Sequence, residues 1–215
     1  MSYYEPGQIL EIFEILNASQ LSYLLLRNSG DELPGHLEWG KDIDVLIRHE
    51  NRKKLLNVLL ENGFRQVRHP RRNDVKLYGV HQFEMFRSQD QVLLDVNYEI
   101  AVQSIDRGQW IPLDQVIQLS AWGNAQNIII GGVSVPVLSN EDLWVSTLAR
   151  CVFDKKKFSP WHREMLFHLL PLVDLDDIEE KLRLIFFKYT ETLLNLAKKG
   201  EYQKIVDDYV SFKDY

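Results

Sequence analysis

The chain has a single cysteine, Cys151, among 215 residues. One thiol cannot close an internal disulfide, which excludes a disulfide-stapled secreted scaffold. Cys151 lies in the apolar helical pattern LWVSTLARCVF, where a packed core thiol is the expected role rather than a nucleophile. Basic residues are the minority, 25 against 31 acidic, for a net charge of −6. That sign does not suit a protein that grips a long nucleic acid by neutralising phosphates, although a small nucleotide remains open. No apolar run approaches the roughly 20 residues of a membrane span. The opening MSYYEPGQIL lacks a basic region followed by an apolar one. The expectation is no membrane segment and a cytoplasmic address. His162 and His168 are six apart and make no zinc spacing.

What the chain does have is apolar residue throughout, 45% of the total, enough for a folded core. Ile9, Leu10, Ile12, Phe13 and Leu16 form a helical stripe. LSYLLLR is a short strand, NSGDELPGHLEWG a loop, and DIDVLIR a second strand. HENRKKLLNVLLENGF is an amphipathic helix with Asn62-Gly63 as its stop. VKLYGVH, QFEMFR and QVLLDVNYEI alternate as antiparallel strands, with SQDQ as a turn between the last two. IIIGGVSVPVL is a hairpin around Gly131-Gly132. From Ser139 on, where SNEDLWVSTLARCVF opens with Ser139 or Asn140 as its cap, the pattern is helical to the end. Ile178, Leu182, Ile185, Phe186, Tyr189 and Leu193 share one helix that Gly200 ends. The fold class is therefore α/β in the α+β sense: a small mixed β-sheet flanked by helices over 1–138, then a helical C-terminal region over 139–215.

GKDIDVLIRHE carries the chemistry. In a strand, residues i and i+2 point to one face, so Asp42 and Asp44 are neighbours, about 6.5–7 Å apart along the backbone. Ile43, Val45 and Ile47 turn toward a core. Two ionised carboxylates so close repel unless a cation joins them, and a hard divalent ion such as Mg2+ or Mn2+ takes oxygen ligands. Asp95 interrupts the apolar strand VLLDV in the same way, so three carboxylates converge if the two strands adjoin. The plainer reading makes them strand-end aspartates held by backbone amides, Lys41 or Arg48. The loop before the pair offers donors for phosphate oxygens: backbone amides of Asn28, Ser29 and Gly30, the Ser29 hydroxyl, and the charges of Arg27 and Lys41.

The sequence YLLLRNSG, then DIDVLI, then LLDV resembles the nucleotidyltransferase superfamily of the DNA polymerase β type. The wording is most similar to a bacterial subfamily found near surface-polysaccharide genes. The resemblance covers about residues 8–150. It implies two-metal transfer of a nucleoside monophosphate from a triphosphate such as ATP to a hydroxyl of a small acceptor, a sugar or polyol, with release of pyrophosphate. Asp42 and Asp44 would hold both ions. Asp95 would complete the second ion and help deprotonate the acceptor. The loop departs from the family's Gly-Gly or Gly-Ser followed by a short helix, since Pro34 and Gly35 oppose a helix there. Two alternatives stay open: a metal-dependent glycosyltransferase using a nucleotide-sugar through its D-x-D, and a degenerate member that binds nucleotide without turnover.

Overall fold

A computed structural model describes residues 2–28, 32–68, 76–77, 80–104 and 109–210, with the backbone alone at 76–77, 80–81 and 209–210. In chain order the elements are α1 (Pro6–Ala18), β1 (Tyr23–Leu25), β2 (Asp42–Ile47), α2 (Arg52–Glu61), β3 (Arg65–Val67), β4 (Lys76–Leu77), β5 (Val80–His81), β6 (Phe83–Arg87) and β7 (Leu93–Asn97). They continue as β8 (Ala101–Gln103), β9 (Trp110–Pro112), α3 (Gln115–Gly123), β10 (Gln126–Ile130), β11 (Val133–Val137), α4 (Asn140–Arg150), α5 (Pro160–Leu169), α6 (Leu175–Phe186), α7 (Thr190–Lys198) and α8 (Tyr202–Val210). Among these residues no helix is long and apolar enough to cross a membrane.

The chain forms two compact units, 1–99 with 125–138, and 100–124 with 139–215. Residues 100–124 thus group with 139–215 rather than with the strands on either side of them. The first unit holds a seven-stranded mixed sheet in the order β10-β11-β1-β2-β7-β6-β3. One face packs on α1 and α2 through Ile9, Ile12, Phe13, Leu16, Leu55 and Leu59 against Ile43, Val45, Ile47, Leu94 and Val96. Gly131 and Gly132, at φ +54° and +92°, make the tight turn joining β10 to β11, a conformation that suits glycine. The stretch VKLYGVH does not run as one strand: Lys76–Leu77 pairs antiparallel with Val80–His81, and the rest lies outside the described residues.

The alternation of QFEMFR places Glu84 on the helix-packed face, opposite Val96. Its carboxylate accepts from Arg52 Nε at 2.8 Å and Nη2 at 2.5 Å, from Gln66 Nε2 at 3.0 Å and from the Tyr98 hydroxyl at 2.5 Å. Burial, and then the bond to Glu84, push the Tyr98 phenol well above its ordinary pKa. This buried hub fastens the first turn of α2 to β6 and to the residue after β7.

In the second unit, Gln118 of α3 bonds both backbone groups of Ile100 and the carbonyl of Leu113, clamping β8, β9 and their helix. Asp142, fully buried, accepts from Ser120 and from Lys181 Nζ at 2.9 Å, and Lys181 also reaches Asp177 at 2.6 Å. The helix expected through Ile178–Leu193 is broken: α6 stops at Phe186, Phe187 sits at φ +52°, and α7 begins at Thr190. Apolar spacing continues across the break, so periodicity could not reveal it. Burial alone would lower the pKa of the Lys181 ammonium; the bonds and charges of Asp177 and Asp142 outweigh it and hold the group above the ordinary lysine value. A raised folded-state pKa means stability fully present below the unfolded value of 10.5 and lost as pH climbs through the folded one. Urea midpoints measured from pH 8 to 11.5 should fall at the alkaline end, and Lys181→Met, although less stable at pH 8, should show a shallower alkaline fall.

Candidate functional site

The side chains that matter lie on the other face of the first unit's sheet. β2 and β7 run parallel, with Asp42 opposite Leu93 and Asp44 opposite Asp95. The two aspartates predicted from separate strands are thus one strand spacing apart, about 4.8 Å. Asp42, Asp44 and Asp95 each offer a carboxylate oxygen, and these oxygens all lie within 4.8 Å of one another. Asp42 is half-buried, whereas Asp44 and Asp95 are only 6% and 1% exposed. Surface carboxylates often cluster without purpose, but removal from water makes mutual repulsion far costlier here.

The Arg27 guanidinium, just past β1, donates to Asp44 Oδ1, which sets a cation against one of the three carboxylates. Asn28 takes the left-handed conformation, φ +63°, which asparagine tolerates. Its Oδ1 accepts from the Asp44 backbone N–H at 3.4 Å and its Nδ2 donates to Glu32 at 2.8 Å. Lys41 is half-exposed and engaged by Glu32 at 3.0 Å and Glu38 at 3.7 Å. The Glu32 hydrogen bond chiefly raises its pKa, against the opposing effect of burial. Arg27 and Asn28 therefore join the aspartates directly, while Lys41 is held through Glu32. Ser29 and Gly30 lie outside the described residues. No regular helix follows in 32–40, where His36 N–H bonds the Glu32 carbonyl in a single turn.

Glu32 was not singled out from sequence, since nothing in GDELPG marks one acid as the bridge between Asn28 and Lys41. Tyr4 was missed for the same reason. Its hydroxyl accepts from Gly40 N–H at 3.1 Å and donates to the Gln91 carbonyl at 3.2 Å. It ties the approach to β2 to the approach to β7, steadying the parallel register on which the carboxylate cluster depends. The donor set, three hard oxygens from two rigid strands, fits a divalent cation of the magnesium or manganese kind.

A family model described as "Uncharacterised nucleotidyltransferase" matches residues 40–206, from the glycine before the D-x-D to α8. The chain belongs to this nucleotidyltransferase family. No curated protein matches it. Among solved structures, ANT(2'')-Ia in complex with adenylyl-2''-tobramycin superposes with a TM-score of 0.53 at 15% identity, covering 83% of this chain and 97% of that one. The solution structure of the same antibiotic-resistance factor gives 0.51 at 15% identity, covering 89% and 98%. At such identity the likeness speaks for the fold alone: this member of the nucleotidyltransferase family shares it over more than four-fifths of its own length.

Proposed function

We propose that this nucleotidyltransferase moves a nucleoside monophosphate from a triphosphate, ATP being the first candidate, to a hydroxyl of a small sugar or polyol, releasing pyrophosphate. The observation that carries the reading is Asp44 facing Asp95 across parallel strands with Asp42 two residues before it. Asp42, Asp44 and Asp95 would hold magnesium or manganese, which when bound supplies positive charge at the oxygens of the phosphorus under displacement. Arg27 and Asn28, on the β1 side, bind the β- and γ-phosphates. Asn28, fastened to the Asp44 backbone, fixes where the loop before β2 begins. The acceptor hydroxyl oxygen bonds to the α-phosphorus, the bond to the pyrophosphate oxygen breaks, and Asp95 takes the hydroxyl proton. The net charge of −6 disfavours a long nucleic acid as acceptor. The adenylylated small molecule carried by ANT(2'')-Ia supports a small acceptor.

The test incubates the protein with each labelled nucleoside triphosphate, magnesium or manganese, and a panel of sugars, polyols and their phosphates. Pyrophosphate and a nucleotidylated product are expected to appear together and to stop when EDTA removes the ion. Tight triphosphate binding with no pyrophosphate across the panel would establish a binding-only member. Release of nucleoside diphosphate from a nucleotide-sugar would establish a glycosyltransferase instead.

A further inference from the structure

On the aspartate face of the sheet, Phe83, Met85 and Arg87 of β6 stand opposite Asn97, Asp95 and Leu93 of β7. Leu93 in turn stands opposite Asp42. Arg87 is therefore level with Asp42 and two strands away, about 10 Å between backbones. Directly opposite Arg87, on β3, is Arg65. Side chains opposed in this way start from Cβ atoms about 4.5–5.5 Å apart, and like charges there destabilise a sheet. No carboxylate relieves them: neither arginine forms an ion pair among the described residues. The one hydrogen bond of the Arg87 side chain runs from Nη1 to Gln91 Oε1 at a long 3.4 Å, and its Nε is buried without an acceptor.

β3 is the edge of the sheet, and charge on an edge guards against further strand pairing. That accounts for Arg65. It does not account for Arg87, whose strand is paired on both sides and whose guanidinium is half withdrawn from water with a buried N–H unmet. Such a group is costly until an acceptor arrives, and its planar fork matches the oxygens of a phosphate or carboxylate.

We propose that Arg87, with Arg65 beside it, is a binding subsite for an anionic group on the acceptor, so that the substrate class is a phosphorylated or carboxylated sugar or polyol. The inference rests on the nucleotidyl-transfer reading for the word acceptor. The strand order β1-β2-β7-β6-β3 gives the carboxylate cluster two flanks. Arg27 and Asn28 occupy the β1 flank, where the triphosphate lies in that reading. Arg87 and Arg65 occupy the β6 flank, next to the strand of Asp95, which faces the acceptor hydroxyl. Each reactant thus has its own cationic anchor.

The test is a calorimetric titration of the full chain, without nucleotide, using inorganic phosphate, glucose 6-phosphate, glucuronate and glucose. The anionic probes are expected to bind at least about 10-fold more tightly than glucose. Arg87→Gln should erase that preference, Arg87→Lys should keep part of it because an ammonium lacks the fork, and Arg65→Gln should weaken it about 3-fold. Glucose 6-phosphate and glucuronate compared side by side tell phosphate from carboxylate as the recognised group. Urea midpoints establish that each variant folds, and binding of manganese with a nucleoside triphosphate should stay within about 2-fold of the parent in Arg87→Gln. No preference for anions in the parent, or an equal loss of triphosphate affinity in Arg87→Gln, overturns the proposal. Failure of the parent to bind any triphosphate would instead defeat the nucleotidyl-transfer reading, and the anion preference, measured without nucleotide, stands apart from it.

Discussion

Asparagine in place of Asp44 is expected to lower nucleotidyl transfer by about 10²–10³-fold or more and to remove divalent-ion binding at the cluster. Asp44 is the hinge of the arrangement. It lies between Asp42 on its own strand and Asp95 on the next, is 6% exposed, and bonds the Arg27 guanidinium. The amide keeps the shape but takes away a full negative charge, leaving two carboxylates against Arg27. It also removes one of the two carboxylate oxygens, and an amide nitrogen in its place would turn N–H bonds toward Arg27 or toward the cation. Relief of like-charge crowding means that the variant should fold. Manganese titration and triphosphate turnover give the measurement, with a urea midpoint to establish the fold. A variant that binds manganese as tightly as the parent would place the ion elsewhere.

Glu84→Ala should do the opposite: leave manganese binding intact and cost about 3–5 kcal/mol of stability. Glu84 is on the helix-packed face, so its strand presents Met85, and not Glu84, beside Asp95. Its side chain is 1% exposed and satisfies Arg52, Gln66 and Tyr98 at once. Truncation leaves a guanidinium and a phenol without their acceptor in a poorly hydrated place. Glu84→Gln, which keeps an acceptor oxygen but no charge, should cost roughly half as much. The readout is the urea midpoint at constant m-value. A loss under about 1 kcal/mol would mean that water replaces the carboxylate.

These two acids show how far the chain could be read before its structure. Asp42 and Asp44 were legible because a strand's period of two forces i and i+2 together whatever lies around them. The meeting with Asp95 was legible only as a condition. That β2 and β7 adjoin, and run parallel, depends on chain reversals that local spacing does not encode. Glu84 and Arg87 were illegible for a different reason. Both faces of β6 are covered, Phe83 and Met85 on one and Phe86 on the other, so alternation ceases to separate inside from outside. In 100–124 the strands are only three residues long, too short for any period to register. α3 was missed there because its buried Gln118 reads as a solvent position.

The chain crosses between its two units three times, at 99/100, 124/125 and 138/139. The strand that covers β1 on its outer side, β11, arrives only after the second of these crossings. On a ribosome adding about 5–20 residues each second, β1 and β2 emerge seconds before their neighbour exists. The nascent chain therefore carries an open strand edge, flanked by the apolar run from Leu24 to Leu26, through that interval. A gene fragment stopping at residue 99 or 124 would make the interval permanent. Such fragments should collect in inclusion bodies, whereas one ending at 138 has every strand of the sheet in hand.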